Sequence, residues 1–293
     1  YIQRYNMKNY LKLMRVHHYL KNVLIFLPLV FSQNLFNIDL LSKTIFGFFS
    51  FSILSSIVYV INDIQDVEKD RRHSTKCKRP IASGAVSIKE AYVLAVFIAI
   101  VGIAFNYLAC GLNIKAWLFV IMYVGFNFAY SMGFKNMPIM DITILVSGFL
   151  FRVLYGSAIT SINVSNWLYL TVIAMSFYLG LGKRRNELKT EGSKSRKVLK
   201  YYNHDFLDKN MYMCLGLTIV FYSLWCVDPT TIERYPQNNL VWTVPLVMII
   251  CMKYSLNVEG ESDGDPVSVL LKDKVLIALT LLYIIIVLLI IYV

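Results

Sequence analysis

From Val275 to Val293 the chain runs without a single charged side chain. A bilayer core about 30 Å thick is crossed by about 20 helical residues, and unpaired backbone groups are not tolerated inside it. A run of this length and character reads as a membrane-spanning helix, so the solvent in which the rest folds is largely lipid. Other apolar stretches of suitable length lie at about residues 22 to 36, 43 to 62, 88 to 109, 114 to 131, 138 to 160, 165 to 182, 210 to 228 and 239 to 255. With the last stretch, 274 to 293, they predict an all-α polytopic membrane protein of nine transmembrane helices, read as one domain over residues 1–293. The first span is interrupted by Pro28, and Ser32, Gln33 and Asn34 crowd its end. Composition agrees, since 57% of residues are hydrophobic and only 16% charged, against about 45–50% and about 25% in soluble domains. That apolar content excludes disorder, and five scattered cysteines exclude a disulfide scaffold. The cysteines show no zinc-type Cys/His spacing and are expected to be reduced and structural.

Positive loops stay cytoplasmic. Most Lys and Arg fall on one side of the predicted spans: the N-terminal segment, the loop from Lys69 to Arg79, Lys135, the loop from Lys183 to Lys209, and Lys253, Lys272 and Lys274. The opposite loops carry only Lys43, Lys115 and Arg234. This asymmetry predicts a cytoplasmic N-terminus, an external C-terminus and an odd number of spans. Residues 1–21 read as a basic interfacial segment, with no small-residue cleavage site at the end of Tyr1 to Leu13. Because topology already accounts for the net charge of +11, no nucleic-acid partner is implied.

The second span ends in Asn62-Asp63, Asp66 and Asp70. At 100° per residue the three aspartates fall at about 0°, 300° and 340°, within one arc of about 60°, and Asn62 stands one turn before Asp66. Three carboxylates on one face repel each other, and charge near a membrane is expensive, so the cluster reads as a functional site. A hard cation relieves it: Mg²⁺ is commonly held by one or two carboxylates together with substrate phosphate oxygens. The competing reading is a solvated helix end paired with Lys69, Arg71 and Arg72. Lys78 and Arg79 follow in a loop shaped by Pro80 and Gly84, where they would meet the remaining oxygens of a bound polyphosphate. Ser87-Ile-Lys-Glu90 reads as a capping box opening the third span.

Further groups belong to the same predicted face. Tyr130 and Lys135 close the fourth span, and Asp141 opens the fifth. Arg152 follows eleven residues on, about 1,100° or 20° of rotation, and so returns to the same helix face as an intramembrane cation. It suits either a carboxylate partner or a lipid phosphate. Gly180-Leu-Gly182-Lys183-Arg184-Arg185-Asn-Glu187 closes the sixth span, and Lys21 stands at the start of the first. His73 and His204 lie in predicted loops and read as solvated or loosely structural.

Asn62-Asp63-x-x-Asp66-x-x-x-Asp70 on the second of nine spans resembles the first aspartate-rich motif of the UbiA superfamily of intramembrane prenyltransferases. The likeness covers nearly the whole chain. It is strongest toward the phosphoribosyl-transferring branch, on Arg15-Val-His-His-Tyr-Leu-Lys21-Asn22, Lys78-Arg79-Pro80-Ile-Ala-Ser-Gly84, Tyr130-Ser131 with Lys135, Leu181-Gly182-Lys183-Arg184-x-x-Glu187, and Gly264-Asp265-Pro266 followed by Leu270-Leu-Lys-Asp273. The resemblance implies transfer of 5-phosphoribose from phosphoribosyl diphosphate to a polyprenyl phosphate lipid in the cell membrane, with Mg²⁺ as cofactor and diphosphate released. Asp63, Asp66 and Asn62 would then serve metal and diphosphate, and Asp70 metal or ribose hydroxyls. Lys21, Lys135, Lys183 and Arg184 would hold phosphates. The second aspartate-rich motif of ordinary prenyltransferases is absent, with Glu187 and Glu191 the only acids spaced four apart near its place.

Two rival functions follow from the same residues. An aromatic prenyltransferase would bind a prenyl diphosphate at the same acids, and a transporter or lipid-binding protein would use them as a cation pathway. Against the latter, the acids gather at one surface. No P-loop, dinucleotide fingerprint or zincin motif occurs. Homo-oligomerisation is left open by the sequence.

Overall fold

The computed structural model describes residues 7–72, 76–191, 196–236, 240–260 and 264–293, with the side chain of Glu191 outside that set. His73 also lies outside the described residues. All regular structure among the described residues is helical. Among the described residues, seven helices are long and apolar enough to cross a membrane: α3 (Ile38–Gln65), α5 (Ile88–Cys110), α6 (Ile114–Met132), α7 (Met140–Thr160), α9 (His204–Val227), the stretch Leu240–Glu259 containing α11 (Val244–Glu259), and α13 (Lys274–Tyr292).

The other two of the nine expected spans take different forms. Residues Val16–Phe26 wind as a tight 3₁₀ segment and continue into the short α2 (Leu27–Phe31). Together they make an apolar helix shorter than a full span. The cause is local: Pro28 withholds an amide, and Tyr19 and Asn22 bond sideways into α3. α8 (Asn166–Glu191) is long enough, but it is diluted by Trp167, Tyr169 and Tyr178, and its last turns are heavily charged.

Backbone contacts divide the chain into two compact units, residues 1–30, 34–131 and 154–162 in one and 31–33, 132–153 and 163–293 in the other. In the first, α3 packs along α5. A Cβ on Gly102 would sit 2.7 Å from the Leu54 side chain, so glycine is what permits this approach. Ser50 Oγ donates to Gly102 O across the same contact at 2.9 Å. A polar seam fixes the 3₁₀ segment to α3: Asn22 Nδ2 donates to Ser52 Oγ at 2.8 Å, and the Tyr19 and Ser56 hydroxyls share a bond at 2.9 Å. Ser56 Oγ also donates to Met14 O at 2.8 Å, which ties α1 (Met7–Met14) to the same helix. The predicted capping box is formed, with Glu90 N donating to Ser87 Oγ at 3.2 Å and Ser87 N to Glu90 Oε2 at 2.8 Å. Under the acidic end of α3 lies a core of Leu13, Val60, Ile64, Val67, Ile81 and Val86.

In the second unit α8 packs along α9, around a core that includes Ile142, Tyr178, Leu199, Leu207, Met211, Tyr254 and Leu276. Asp273 caps α13 by accepting from the amides of Val275 (2.8 Å) and Leu276 (2.9 Å). It also accepts from Lys253 Nζ at 2.8 Å and Asn257 Nδ2 at 2.9 Å, fastening α13 to α11. The Lys253 ammonium, with the Leu276 amide and Asn257, holds this carboxyl well below its ordinary value of 3.8. A depressed carboxylate stabilises the fold above its unfolded-state pKa, and that contribution is lost as pH falls through the folded-state value. Asp273→Asn is therefore expected to melt at lower temperature than the parent at neutral pH, with the gap closing only below about pH 3.8. Melting curves in detergent across pH check this.

Candidate functional site

α3 ends at Gln65, Asp66 marks a slight break with φ −92° and ψ 9°, and the short α4 (Val67–Arg71) resumes the path. Amide bonds from Asp66 to Asn62 O (2.9 Å) and from Asp70 to Asp66 O (2.8 Å) carry the helix across that break. Asp63 and Asp70 therefore stay on one side, both buried. Arg79 Nη1 joins them, donating to Asp63 Oδ1 at 3.1 Å and to Asp70 Oδ2 at 2.6 Å.

A second guanidinium reaches the same oxygen. Arg15 Nη2 donates to Asp63 Oδ1 at 2.9 Å, and its charged plane lies over the Tyr59 ring at 4.6 Å. Arg15 adopts a left-handed conformation, φ 52° and ψ 49°, where α1 gives way to the 3₁₀ segment. That turn aims its side chain at the acids. Asp63 is only 3% exposed, while the two arginines remain about a quarter exposed. The carboxylate thus faces cations that solvent and ligand can reach.

The oxygen donors suit a hard cation. Asn62 Oδ1 is buried without a hydrogen-bond partner, and it lies on the same turn as Asp63 and one turn before Asp66. Carboxylate and amide oxygens of this kind fit Mg²⁺ better than a softer metal. Among the described residues, however, no three acids, histidines or cysteines stand close enough to hold a metal together. The expected face of three carboxylates is instead two buried acids cross-linked by Arg79, with half-buried Asp66 at the break. Lys21 and Tyr130 are half-buried, and Lys78 is exposed. The Lys78 carbonyl accepts from Lys12 Nζ at 3.4 Å.

The second unit gathers its own charged cluster at the end of α8. Arg184 Nε donates to Asp141 Oδ2 at 2.5 Å, and Arg184 Nη1 donates to Glu187 Oε2 at 2.7 Å. Both Arg184 and Asp141 have no exposed surface. Arg196 Nε also donates to Glu187 Oε2 at 3.2 Å, and the Tyr202 hydroxyl donates to Asp141 Oδ1 at 2.7 Å. Burial, then the bond to Asp141, pushes the Tyr202 hydroxyl above its ordinary pKa, so it stays a donor. Arg185 pairs with Asp208 on α9, and Lys183 Nζ lies 3.4 Å from Asp265 Oδ1 with about a quarter of its side chain exposed.

These positions refine the residue roles drawn from sequence. Arg184, expected at a substrate phosphate, is enclosed by two carboxylates of the chain itself and here supports the cluster. Asp141 and Glu187 are its partners. Arg152, whose expected partners were a carboxylate or a lipid phosphate, donates to Gly148 O at 2.5 Å and is 6% exposed. Asp141 takes Arg184 and Tyr202. Lys135 sits half-buried on a 3₁₀ turn, Phe134–Asn136. Sequence reasoning missed Arg15 as a partner of the acids. The available signal was its place at the head of Arg15-Val-His-His-Tyr-Leu-Lys21-Asn22, just before the chain enters the apolar region.

Helices of this number and length, with most of their charge toward their ends, define a multi-pass membrane protein. The model of the UbiA prenyltransferase family matches residues 23–198. The decaprenyl-phosphate phosphoribosyltransferase of Corynebacterium glutamicum is 30% identical over 292 residues, covering 97% of this chain and 86% of the relative. The protein of the same name from Mycolicibacterium smegmatis is 31% identical over 255 residues, covering 84% of this chain and 79% of the relative. Among solved structures, a UbiA homologue from Archaeoglobus fulgidus bound to GPP and Mg²⁺ superposes with a TM-score of 0.69 at 18% identity, covering 97% of this chain and all of that one. The chain belongs to the UbiA prenyltransferase family, and it is a transferase.

Proposed function

We propose that this protein transfers 5-phosphoribose from phosphoribosyl diphosphate to a polyprenyl phosphate, releasing diphosphate, and so supplies cell-envelope polysaccharide synthesis. The observation that carries the reading is identity of about 30% with phosphoribosyltransferases over most of both chains. The reaction breaks the bond from the anomeric carbon to the diphosphate oxygen and forms one to an oxygen of the lipid phosphate. Positive charge grows on the ribose ring as negative charge grows on the departing diphosphate, so the groups that matter are those that neutralise the leaving group. Arg15 and Arg79, partly exposed beside Asp63, can do so by turning a donor to a phosphate oxygen. One or two of Asp63, Asp66 and Asp70, with Asn62 and the diphosphate's own oxygens, would hold Mg²⁺, which when bound neutralises phosphate charge. Lys21, Lys78, Lys135 and Lys183 would take the remaining phosphates, and Tyr130 would face substrate. The lipid phosphate is already ionised at neutral pH, so no strong general base is needed. Arg152, one of the two cations among the described residues that are nearly closed off from solvent, is kept as a candidate for the lipid head group.

The same proposal places the reaction at the cytoplasmic face of the plasma membrane, on the side where Lys and Arg concentrate, and treats residues 1–293 as one working domain. Purified protein in detergent, given labelled phosphoribosyl diphosphate, Mg²⁺ and a polyprenyl phosphate, is expected to move label into a lipid-extractable product. Activity only with a labelled prenyl diphosphate and an aromatic acceptor would replace this reading with ordinary prenyl transfer.

A further inference from the structure

Ile139 has φ 69°. For a β-branched residue this left-handed conformation is an outlier, and such strain persists only where its surroundings over-determine it. Both backbone groups of Ile139 are committed. Its carbonyl accepts from Thr143 N at 2.8 Å and Thr143 Oγ1 at 2.9 Å, which starts α7. Its amide donates to the Tyr202 hydroxyl at 2.6 Å, and that hydroxyl donates onward to Asp141 at 2.7 Å.

Tyr202 is itself anchored. It is 7% exposed and its ring lies parallel to Phe206, 4° between planes. Asp141 is fixed by Arg184, Arg184 by Glu187, and Glu187 by Arg196. From Arg196 the chain leads through the 3₁₀ turn Lys197–Tyr201 back to Tyr202, so the circuit closes on itself. The turn that carries Lys135 packs against this turn. Between Lys135 and the strained residue stand only Asn136, Met137 and Pro138.

We infer that Tyr202 is a positioning residue: its hydroxyl, joined to the Ile139 amide and the Asp141 carboxylate, holds the Gly133–Ile139 link in the strained form that sets Lys135 for a substrate phosphate. The inference rests on the assignment of Lys135 to phosphate, and it does not depend on which diphosphate donor the protein uses. Removing the hydroxyl lets Ile139 relax to a negative φ and carries Lys135 away. Glycine at 139 adopts the positive φ without steric cost, and so frees the link from its need for Tyr202.

Binding of inorganic diphosphate to the full-length protein with Mg²⁺, measured by titration calorimetry, reads this directly. Tyr202→Phe is expected to weaken binding about tenfold, as for loss of one well-placed charge-assisted bond. Ile139→Gly alone is expected to stay within about twofold of the parent, and Ile139→Gly with Tyr202→Phe to recover most of the loss, since the strain is gone. In a Lys135→Ala background the Tyr202 change should cost nothing further. Unchanged binding in Tyr202→Phe, a double variant no better than Tyr202→Phe, or an additive effect with Lys135→Ala would each overturn the inference. Should Tyr202→Phe fail to fold alone, the double variant decides. Recovered folding and binding support the proposal, and a second failure to fold refutes it. The donor assay above judges phosphoribosyl transfer separately, so loss of that reading and loss of this one are distinguishable.

Discussion

Asp63→Asn is expected to lower the transfer rate by about 10²–10³-fold, the range seen when one preorganised electrostatic group is removed from a reacting centre. The reason lies in what that one carboxylate does. It is 3% exposed and its Oδ1 receives both Arg15 and Arg79. Asn removes the charge that draws the two guanidiniums together and one of the oxygens suited to Mg²⁺. Asp66→Asn, at the break between α3 and α4, should lose a comparable share by way of the metal, while leaving the arginine pairs intact. Initial rates with labelled phosphoribosyl diphosphate, beside helix content and melting temperature, separate chemistry from folding. Activity equal to the parent's in both variants would refute the assignment of these acids to metal and diphosphate.

Arg184→Met carries the second large effect, and it falls on stability. Arg184 and Asp141 are wholly enclosed, with Glu187 as a further partner. Deleting the guanidinium strands a buried carboxylate, which costs about 3–5 kcal/mol. Replacing a whole buried pair by apolar side chains is far milder, so adding Asp141→Leu to Arg184→Met should restore a large part of the loss. Denaturation in mild detergent measures both. A variant that keeps its stability and loses only phosphate affinity would instead make Arg184 a direct substrate ligand.

Much of this arrangement is legible in the sequence, for identifiable reasons. The hydrophobic runs forecast α3, α5, α6, α7, α9 and α13 because lipid demands length and apolarity together, and the Ser87/Glu90 box forecast the start of α5 because it uses only adjacent residues. Periodicity placed Asp63 and Asp70 on one side of a helix, since that relation is local as well. The count of nine full spans is not confirmed at Val16–Phe31, where Tyr19 and Asn22 bond across to α3 and Pro28 interrupts the winding. Long-range partners were beyond reach. Nothing local says that Arg15 closes onto Asp63 from 48 positions away, or that Arg184 spends its charge on Asp141 from 43 positions away. Nor does composition reveal that Ile139 is strained or that Tyr202 restrains it, because backbone sign and tertiary hydrogen bonds leave no periodic trace.

In the proposed function, the carboxylates ending α3 bind a divalent cation together with the donor's diphosphate. Mn²⁺ in place of Mg²⁺ makes this visible by electron paramagnetic resonance of the detergent-solubilised protein with inorganic diphosphate added. The expected result is a protein-bound Mn²⁺ signal that needs diphosphate and disappears in Asp63→Asn. An equally strong bound signal in Asp63→Asn, or none in the parent at saturating diphosphate, would contradict it.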